Sequence, residues 1–205
     1  MTKKLLKLMH AFIDTNNPKR ELNFALVDFD DRIIVATDSR RIIKVNIPHD
    51  NIQNCHGKHL VHKKIISAME KLADKDGDYS FQNNNIVIDG NKVSIDAYLH
   101  EFHYPDHDRI FGVKTDDSFT LDHLNQIDFE LTHLNCHINN SYIVPLKAYG
   151  AESGFSVWYR SQTIDNAGIV RIQHNDENHI VFDAIIMGEE FKPQYVNLFN
   201  YNKAV

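Results

Sequence analysis

Apolar and polar residues alternate most regularly between positions 33 and 47, and this alternation predicts a β-hairpin. Two runs rich in β-branched residues flank a short polar corner, Asp38-Ser39-Arg40. A period of two is typical of strands that bury one face. Aspartate and serine suit such a corner, because their side chains can hydrogen-bond the backbone two residues further on. The pattern predicts a rigid edge that presents Arg40 and Arg41, although an ordinary hairpin with solvated arginines would show the same alternation.

Two other segments carry apolar residues three and four positions apart, which predicts amphipathic helices over residues 3–14 and 63–73. The first helix must end before Pro18, since the residue that precedes a proline is disfavoured in the α region. A run of aspartate, lysine and glycine at 74–78 terminates the second helix.

Shorter patterned segments predict the remaining elements. In the first half, we expect strands over residues 22–27, 79–82, 86–89 and 92–99, followed by a loop at 102–110. In the second half, we expect a short helix at 121–126 and strands over 129–138, 143–149, 155–159, 168–173 and 179–186. The first half mixes helices with antiparallel strands, which predicts an α+β fold, and the length accommodates two domains, 1–115 and 116–205.

Composition narrows the class of protein. The 205 residues, 42% hydrophobic and 24% charged, are typical of a soluble globular chain with a substantial core. The sequence lacks a run of about 18 apolar residues and a signal-like start, and its two cysteines imply no disulfide framework. We therefore expect a cytoplasmic protein. The net charge of −6 argues against a surface that is basic throughout, but it permits a local basic face.

Catalytic and metal-binding motifs are weak. Cys55-His56-x-x-His59-x-x-His62 offers four potential ligands, one thiol and three imidazoles, yet it lacks the second ligand pair of usual zinc sites. The acidic run at 74–78 starts like a calcium loop, but the closing glutamate is missing. Phosphate-binding loops and nucleophile elbows are also absent from the sequence. We predict a protein that is not an enzyme and needs no metal or cofactor; a histidine-dependent metal enzyme on an unrelated α+β fold is the alternative.

Three stretches resemble, in order, the middle domain of the bacterial sliding clamp, the DNA polymerase III β subunit. Arg20-Glu21-Leu22-Asn23-Phe24-Ala25-Leu26 is similar to the family's Arg…Leu-Asn-Gly-Val-Leu strand. Ala36-Thr37-Asp38-Ser39-Arg40-Arg41-Ile42 is similar to Ala-Thr-Asp-Gly-His-Arg-Leu, with Ser39-Arg40 in place of Gly-His. Tyr104-Pro105-Asp106-His107-Asp108-Arg109-Ile110 is similar to Phe-Pro-Asp-Tyr-x-Arg-Val. Near the end, Ile185-Ile186-Met187 resembles the closing Val-Val-Met-Pro, although Gly188 replaces the proline.

This resemblance implies two clamp-like domains, each with an antiparallel sheet and helices on one face, equivalent to the middle and C-terminal domains of a clamp without its first domain. It further implies a scaffold and processivity factor of DNA replication that contacts duplex DNA without sequence preference. Partner peptides, from a DNA polymerase or other clamp-binding proteins, would dock in an inter-domain pocket. The chain would act as a trimeric ring or as a monomer. A diverged homologue that binds peptides and no longer surrounds DNA is the alternative.

The resemblance also assigns residues to two surfaces. The peptide pocket would be formed by Thr37, Arg41, Ile42, Pro105, Arg109, Ile110, Ile185 and Met187. Duplex DNA would meet basic residues on the two predicted helices and after the first one: Lys3, Lys7, Lys19, Arg20, Lys64 and Lys71. Lysine suits such contacts, because a point charge on a flexible stem meets phosphates without fixing a register.

Overall fold

The computed structural model describes residues 3–14, 17–72, 79–88, 91–94, 104–112, 117–121, 138–149, 155–161, 168–176 and 179–188. Its α-helices are α1 (Lys3–Ala11), α2 (Lys63–Leu72), α3 (His107–Phe111) and α4 (Asn140–Tyr149). Its strands are β1 (Phe24–Asp28), β2 (Ile33–Thr37), β3 (Arg41–Asn46), β4 (Ile52–Gln53), β5 (Lys58–His62), β6 (Tyr79–Gln82), β7 (Asn85–Ile88), β8 (Asn91–Ser94), β9 (Asp117–Leu121), β10 (Phe155–Ser161), β11 (Gly168–Asp176) and β12 (His179–Met187). Two short 3-10 helices, Arg20–Asn23 and His49–Asn51, connect them.

One eight-stranded sheet runs through both halves of the chain in the order β5-β1-β2-β3-β12-β11-β10-β9. All of its neighbouring strands are antiparallel. The halves meet where β3 pairs with β12, with Ile42 opposite Ile185 and Ile43 opposite Ala184. A second sheet has the order β4-β6-β7-β8, and its β4 pairs in parallel with β6. The division into domains 1–115 and 116–205 stays a prediction, since a continuous sheet crosses it.

A helix followed by a three-stranded antiparallel meander occurs three times in the described part of the chain. The helices α1, α2 and α4 precede β1–β3, β6–β8 and β10–β12 respectively. The first and third meanders lie edge to edge in the large sheet. Within the described residues, the second half therefore contains one copy of the unit that the first half contains twice.

The large sheet has two chemically distinct faces, because side chains alternate along each strand. One face packs against α1, α2 and α4 through a core that includes Leu6, Met9, Ile43 and Ala184. The opposite face carries a smaller cluster that is covered by residues 104–112; its buried members are Phe24, Leu26, Ile33, Val35, Ile42, Leu60, Phe111 and Ile185. Helices therefore lie on one face of an antiparallel sheet, which confirms the predicted α+β class.

The predicted strand at 143–149 is wrong, because these residues belong to helix α4. The adjacent β-branched residues Ile143 and Val144 suggested a strand. The structure instead buries Ile143 and Leu146, three positions apart, against the core. Asn139 caps the helix, since its Oδ1 accepts the Ser141 N–H at 3.0 Å. The helical spacing of the buried residues and the Asn139 cap therefore decide the conformation of this segment, and the strand propensity of its β-branched residues does not.

Other boundaries differ in smaller ways. The loop predicted at 102–110 contains helix α3, whose N-cap Asp106 accepts the Arg109 N–H at 3.1 Å. Strand β9 ends at Leu121, where a short helix over 121–126 was predicted. The hairpin of β2 and β3, helix α2 and strand β6 agree with the predictions. Most of the strand predicted at 129–138 and the segments 122–126 and 95–99 lie outside the described residues.

Arg41 connects α1 to α4 on the face of the large sheet that the helices cover. Its guanidinium donates to the Ala11 carbonyl at 2.6 Å, to the Tyr142 carbonyl at 3.2 Å and to Asp38 Oδ2 at 2.8 Å. The same group lies over the Phe12 ring at 4.8 Å and the Tyr142 ring at 5.0 Å. Arg41 and Asp38 are only 10% and 15% exposed, so their ion pair is largely desolvated. One side chain therefore holds the end of α1 against the start of α4.

Lys63 supports the same junction by donating to the Ile13 carbonyl just beyond α1. Burial lowers the pKa of Lys63, and the nearby Arg41 lowers it further, although Asp14 and Asp38 act in the opposite direction. Two cations thus satisfy carbonyls that the end of α1 leaves without helical partners.

We predict that Arg41→Met lowers the free energy of unfolding by about 3 kcal/mol, because it leaves Asp38 and two carbonyls without their donor in a mostly buried site. Urea denaturation measures this change. Arg40→Met is the matched control: Arg40 is adjacent but exposed, and its replacement should change stability by less than about 0.5 kcal/mol. Equal effects of the two substitutions would contradict the role assigned to Arg41.

Candidate functional site

A cavity of about 480 Å³ opens at the seam between β3 and β12, next to the corner that joins β2 to β3. Its lining comes from both halves of the chain and comprises Thr37, Ser39, Arg40, Arg41, Ile42, Asp106, Arg109, Ile110, Ile169, Ile185 and Met187. The residues predicted for the peptide pocket all line it except Pro105, which precedes the lining residue Asp106. The structure therefore brings together three stretches that are far apart in sequence.

Strand pairing builds the apolar floor. Ile42 pairs with Ile185 across the seam, and Met187 pairs with Ile169 on the next strand. Ile42 and Ile185 belong to the cluster on the sheet face away from the helices, and Ile110 and Ile169 pack against it. Met187 is 44% exposed, so an apolar surface remains open to a ligand. An adaptable thioether beside fixed isoleucines suits contact with varied apolar side chains.

The polar corner at one side of the cavity is held by its own hydrogen bonds. Asp38 Oδ1 accepts the N–H groups of Arg40 and Arg41 at 3.0 Å each. Thr37 Oγ1 donates to the Arg41 carbonyl at 2.8 Å, and Ser39 adopts a positive φ of 77°. The Met187 N–H donates to the Arg40 carbonyl at 2.9 Å, which connects the corner to the end of β12. The predicted turn chemistry of aspartate is thereby confirmed.

The opposite side of the cavity is formed by residues 104–112, which are anchored to the sheet at both ends. At one end, the Tyr104 hydroxyl donates to the Val35 carbonyl at 3.0 Å. At the other, Arg171 donates to the Phe111 carbonyl at 3.3 Å, and Lys44 lies over the Phe111 ring at 4.5 Å. Burial raises the pKa of Tyr104, so the phenol stays protonated and can donate.

Arg171 is itself held in place by a buried carboxylate. Its Nε lies 2.9 Å from Asp183 Oδ1, and the Asp183 side chain is 3% exposed. Gln173 donates to the same carboxylate at 3.0 Å. Sequence reasoning missed this support, because a charged residue in an alternating strand looks like any solvent-facing position. The sequence signal that could have revealed this ion pair was the presence of opposite charges, Arg171 and Asp183, on two strands predicted to be neighbours.

The cations of the cavity agree with the prediction at Arg109 and differ from it at Arg41 and Arg40. Arg41 was expected at the rim, but its guanidinium is bonded to the ends of α1 and α4 on the helix side. Arg40 and Arg109 line the cavity and are exposed. Arg40, Ser39, Asp106 and Ile169 were not predicted as site residues. The first three stand inside the stretches that carry the clamp resemblance, whereas Ile169 had no comparable signal.

The residues predicted to meet DNA lie on the helix side or near it. Lys7, Lys64 and Lys71 are exposed on α1 and α2, and Lys3 is half-buried at the start of α1. Lys19 and Arg20 are exposed in the connection between α1 and β1. The helices α1, α2 and α4 together contain seven lysines and one acidic residue, Glu70. This helix layer is basic although the whole chain has a net charge of −6.

Other chemistry finds little support in the described residues. No group of three or more histidine, cysteine, aspartate or glutamate side chains there could hold a metal ion. Cys55 is buried, with its Sγ 3.3 Å from the Gln53 carbonyl. None of the described helices has the length and apolar character required to cross a membrane.

Comparison with known proteins gives matches in structure alone. No family model matches the sequence, and no curated protein matches it. The Helicobacter pylori β clamp in complex with diflunisal is similar with a TM-score of 0.61 and 14% identity, over 92% of this chain and 64% of the clamp. The DNA polymerase III β subunit of Thermotoga maritima is similar with a TM-score of 0.58 and 13% identity, over 95% of this chain and 64% of that subunit.

A third similar structure is the H. pylori clamp bound to a DNA ligase peptide, with a TM-score of 0.58 and 13% identity over 92% of this chain and 63% of the clamp. This chain thus spans just under two thirds of each clamp that it matches. Identities this low establish similarity of fold and no more. The chain has the fold of the bacterial sliding clamps.

Proposed function

We propose that this protein is a non-catalytic clamp-type scaffold that docks peptide segments of DNA-processing partners in the cavity at the β3–β12 seam. The observation that carries the proposal is the cavity itself: two distant parts of a clamp fold meet there around an open apolar floor. The size of the cavity suits one or two side chains of an extended peptide. The H. pylori clamp bound to a DNA ligase peptide supports the choice of ligand, because it has the same fold.

The free energy of burying apolar surface favours a peptide that places an apolar side chain in the cavity. Each Å² of apolar surface that a ligand buries contributes about 25 cal/mol. Ile42 and Ile185 are only 3% and 4% exposed, so they fix the floor, and the apolar area that a ligand can cover belongs chiefly to Met187. Because paired strands hold this floor in place, little side-chain entropy is lost there on binding. The anchored corner and the anchored segment 104–112 keep the two walls in place before binding. The site therefore needs little reorganisation to receive a peptide.

We expect Met187→Gln to weaken binding of the H. pylori DNA ligase peptide roughly eightfold, since removing about 50 Å² of apolar contact costs about 1.2 kcal/mol. Fluorescence anisotropy with the labelled peptide measures the affinity. Ile180→Gln is the matched control, because Ile180 lies on the same strand, is similarly exposed (41% against 44%) and is not among the lining residues. A peptide that fails to bind the unaltered chain, or equal losses in the two variants, would contradict the proposal.

We extend the proposal to duplex DNA, which would lie against the basic helix layer. The helices α1, α2 and α4 contain seven lysines and one acidic residue, and the exposed lysines among them are Lys4, Lys7, Lys64 and Lys71, so the layer attracts phosphates locally. Sliding requires contacts that are weak and blind to sequence, and a few exposed lysines supply them. The alternative function, a peptide-binding homologue without a DNA role, predicts no such attraction.

Lys64→Gln should reduce the slope of log affinity against log salt concentration for a short duplex by about 0.9, because one phosphate contact is lost. The triple variant Lys7→Gln/Lys64→Gln/Lys71→Gln should reduce it by about 2.7. Arg32→Gln removes the same charge from an exposed turn outside the helices and should leave the slope unchanged. Absence of any salt-dependent duplex binding would favour the alternative function.

The assembly follows from the same proposal. A trimeric ring and a monomer are the two assemblies to distinguish. Light scattering in solution gives the mass directly: three times 23.8 kDa for the ring and 23.8 kDa for the monomer.

A further inference from the structure

We infer that Arg40 and Arg109 make the cavity selective for peptides that carry an acidic residue beside their apolar anchor. This inference rests on the peptide-docking function proposed above and specifies the partner's chemistry. It starts from the charges that line the cavity, which are Arg40, Arg41, Arg109 and Asp106.

Two of these charges already make interactions within the protein. The Arg41 guanidinium is bonded to Asp38 and to the carbonyls of Ala11 and Tyr142. Asp106 caps helix α3, where its Oδ1 accepts the Arg109 N–H at 3.1 Å. The Arg41 guanidinium is therefore not available to a ligand. Asp106 keeps its negative charge, so Arg40, Arg109 and Asp106 together leave one net positive charge at the cavity.

Arg40 and Arg109 are different. Both are exposed, and neither guanidinium has an ion-pair or hydrogen-bond partner within the described part of the chain. Their backbones are nevertheless fixed: the Arg40 N–H donates to Asp38 Oδ1 at 3.0 Å, and the Arg40 carbonyl accepts the Met187 N–H at 2.9 Å. Within the described residues, these fixed backbones therefore present two guanidinium groups at the cavity with no internal anion paired to them.

A carboxylate on the ligand would complement these cations. Arginine binds carboxylates through a planar fork of donors, which gives a stronger interaction than a neutral hydrogen bond. The apolar floor favours a peptide over a nucleic acid as the source of the anion, because a phosphate backbone offers nothing to Ile42, Ile185 and Met187. The ligand class is therefore an extended peptide with an apolar anchor and a neighbouring glutamate or aspartate.

The site also explains why this selectivity belongs to Arg40 in particular. Arg40 follows Ser39, whose positive φ of 77° turns the chain at the rim of the cavity. Asp38 accepts the N–H groups of both Arg40 and Arg41, while Arg41 continues into β3 and reaches the helix side. Adjacent arginines thus serve separate purposes: Arg41 stabilises the fold, and Arg40 is a specificity-determining residue.

Two labelled peptides test the inference: acetylated Ser-Glu-Leu-Phe-Glu-Ser and the same sequence with glutamine in place of each glutamate. We expect the intact chain to bind the glutamate peptide about fivefold more tightly at low salt, since two exposed ion pairs contribute modestly. The ratio should fall towards one at 1 M salt, where screening is nearly complete. In Arg40→Gln/Arg109→Gln, the ratio should be close to one even at low salt.

Arg32→Gln is the matched control, because it removes the same charge from the other end of β2 and should keep the fivefold ratio. Equal binding of the two peptides by the intact chain would overturn the inference and leave the docking function standing. Binding of neither peptide would overturn both. A double variant that loses affinity for duplex DNA and keeps the fivefold peptide ratio would reassign the two arginines to phosphate contact and overturn the inference.

Discussion

The antiparallel pairing of β3 with β12 is the interaction on which the rest of the structure depends. It joins strands separated by more than 130 residues in the sequence, and it merges two meanders into one eight-stranded sheet. The helices on one face and the cavity on the other both straddle this seam. Backbone pairing alone would tolerate a slip of register, but a slip by one residue would exchange the helix-side and cavity-side faces of β12. The buried cluster around Ile185 and the core around Ala184 and Ile186 exclude that exchange.

The alternation of side chains explains how one strand serves two purposes. In β3, Arg41 and Ile43 face the helices, whereas Ile42 contributes to the cavity on the other face. The same division applies on β12, where Ile186 packs into the helix-side core and Ile185 lines the cavity. Under the proposed function, stability and ligand binding would therefore belong to neighbouring residues. A change at the cavity face would then alter binding while the helix-side core stayed intact.

Local patterns in the sequence were sufficient to predict those elements in which buried side chains recur at one regular spacing. The hairpin of β2 and β3 alternates cleanly, and α2 has its apolar residues on one stripe, so both were predicted. Helix α4 was not predicted, because Pro145 and two adjacent β-branched residues make its helical spacing hard to recognise in the sequence. Arg41 was misplaced for another reason. Its position in the hairpin was predicted, but the carbonyls of Ala11 and Tyr142 that accept its hydrogen bonds are brought there by tertiary packing, which no local pattern encodes.

The distribution of charge shows why net charge is a poor guide to this molecule. A chain of net charge −6 places seven lysines and one glutamate in the three helices that cover one face of its sheet. Because the Debye length is about 8 Å at physiological ionic strength, a phosphate near the helices would experience that layer more than the distant carboxylates. The remaining acidic surface would repel a duplex that approached from other directions. A protein built in this way would orient itself on DNA without holding it tightly, since few contacts release counterions. The cavity on the opposite face of the sheet would stay accessible to a partner while the helices faced the duplex.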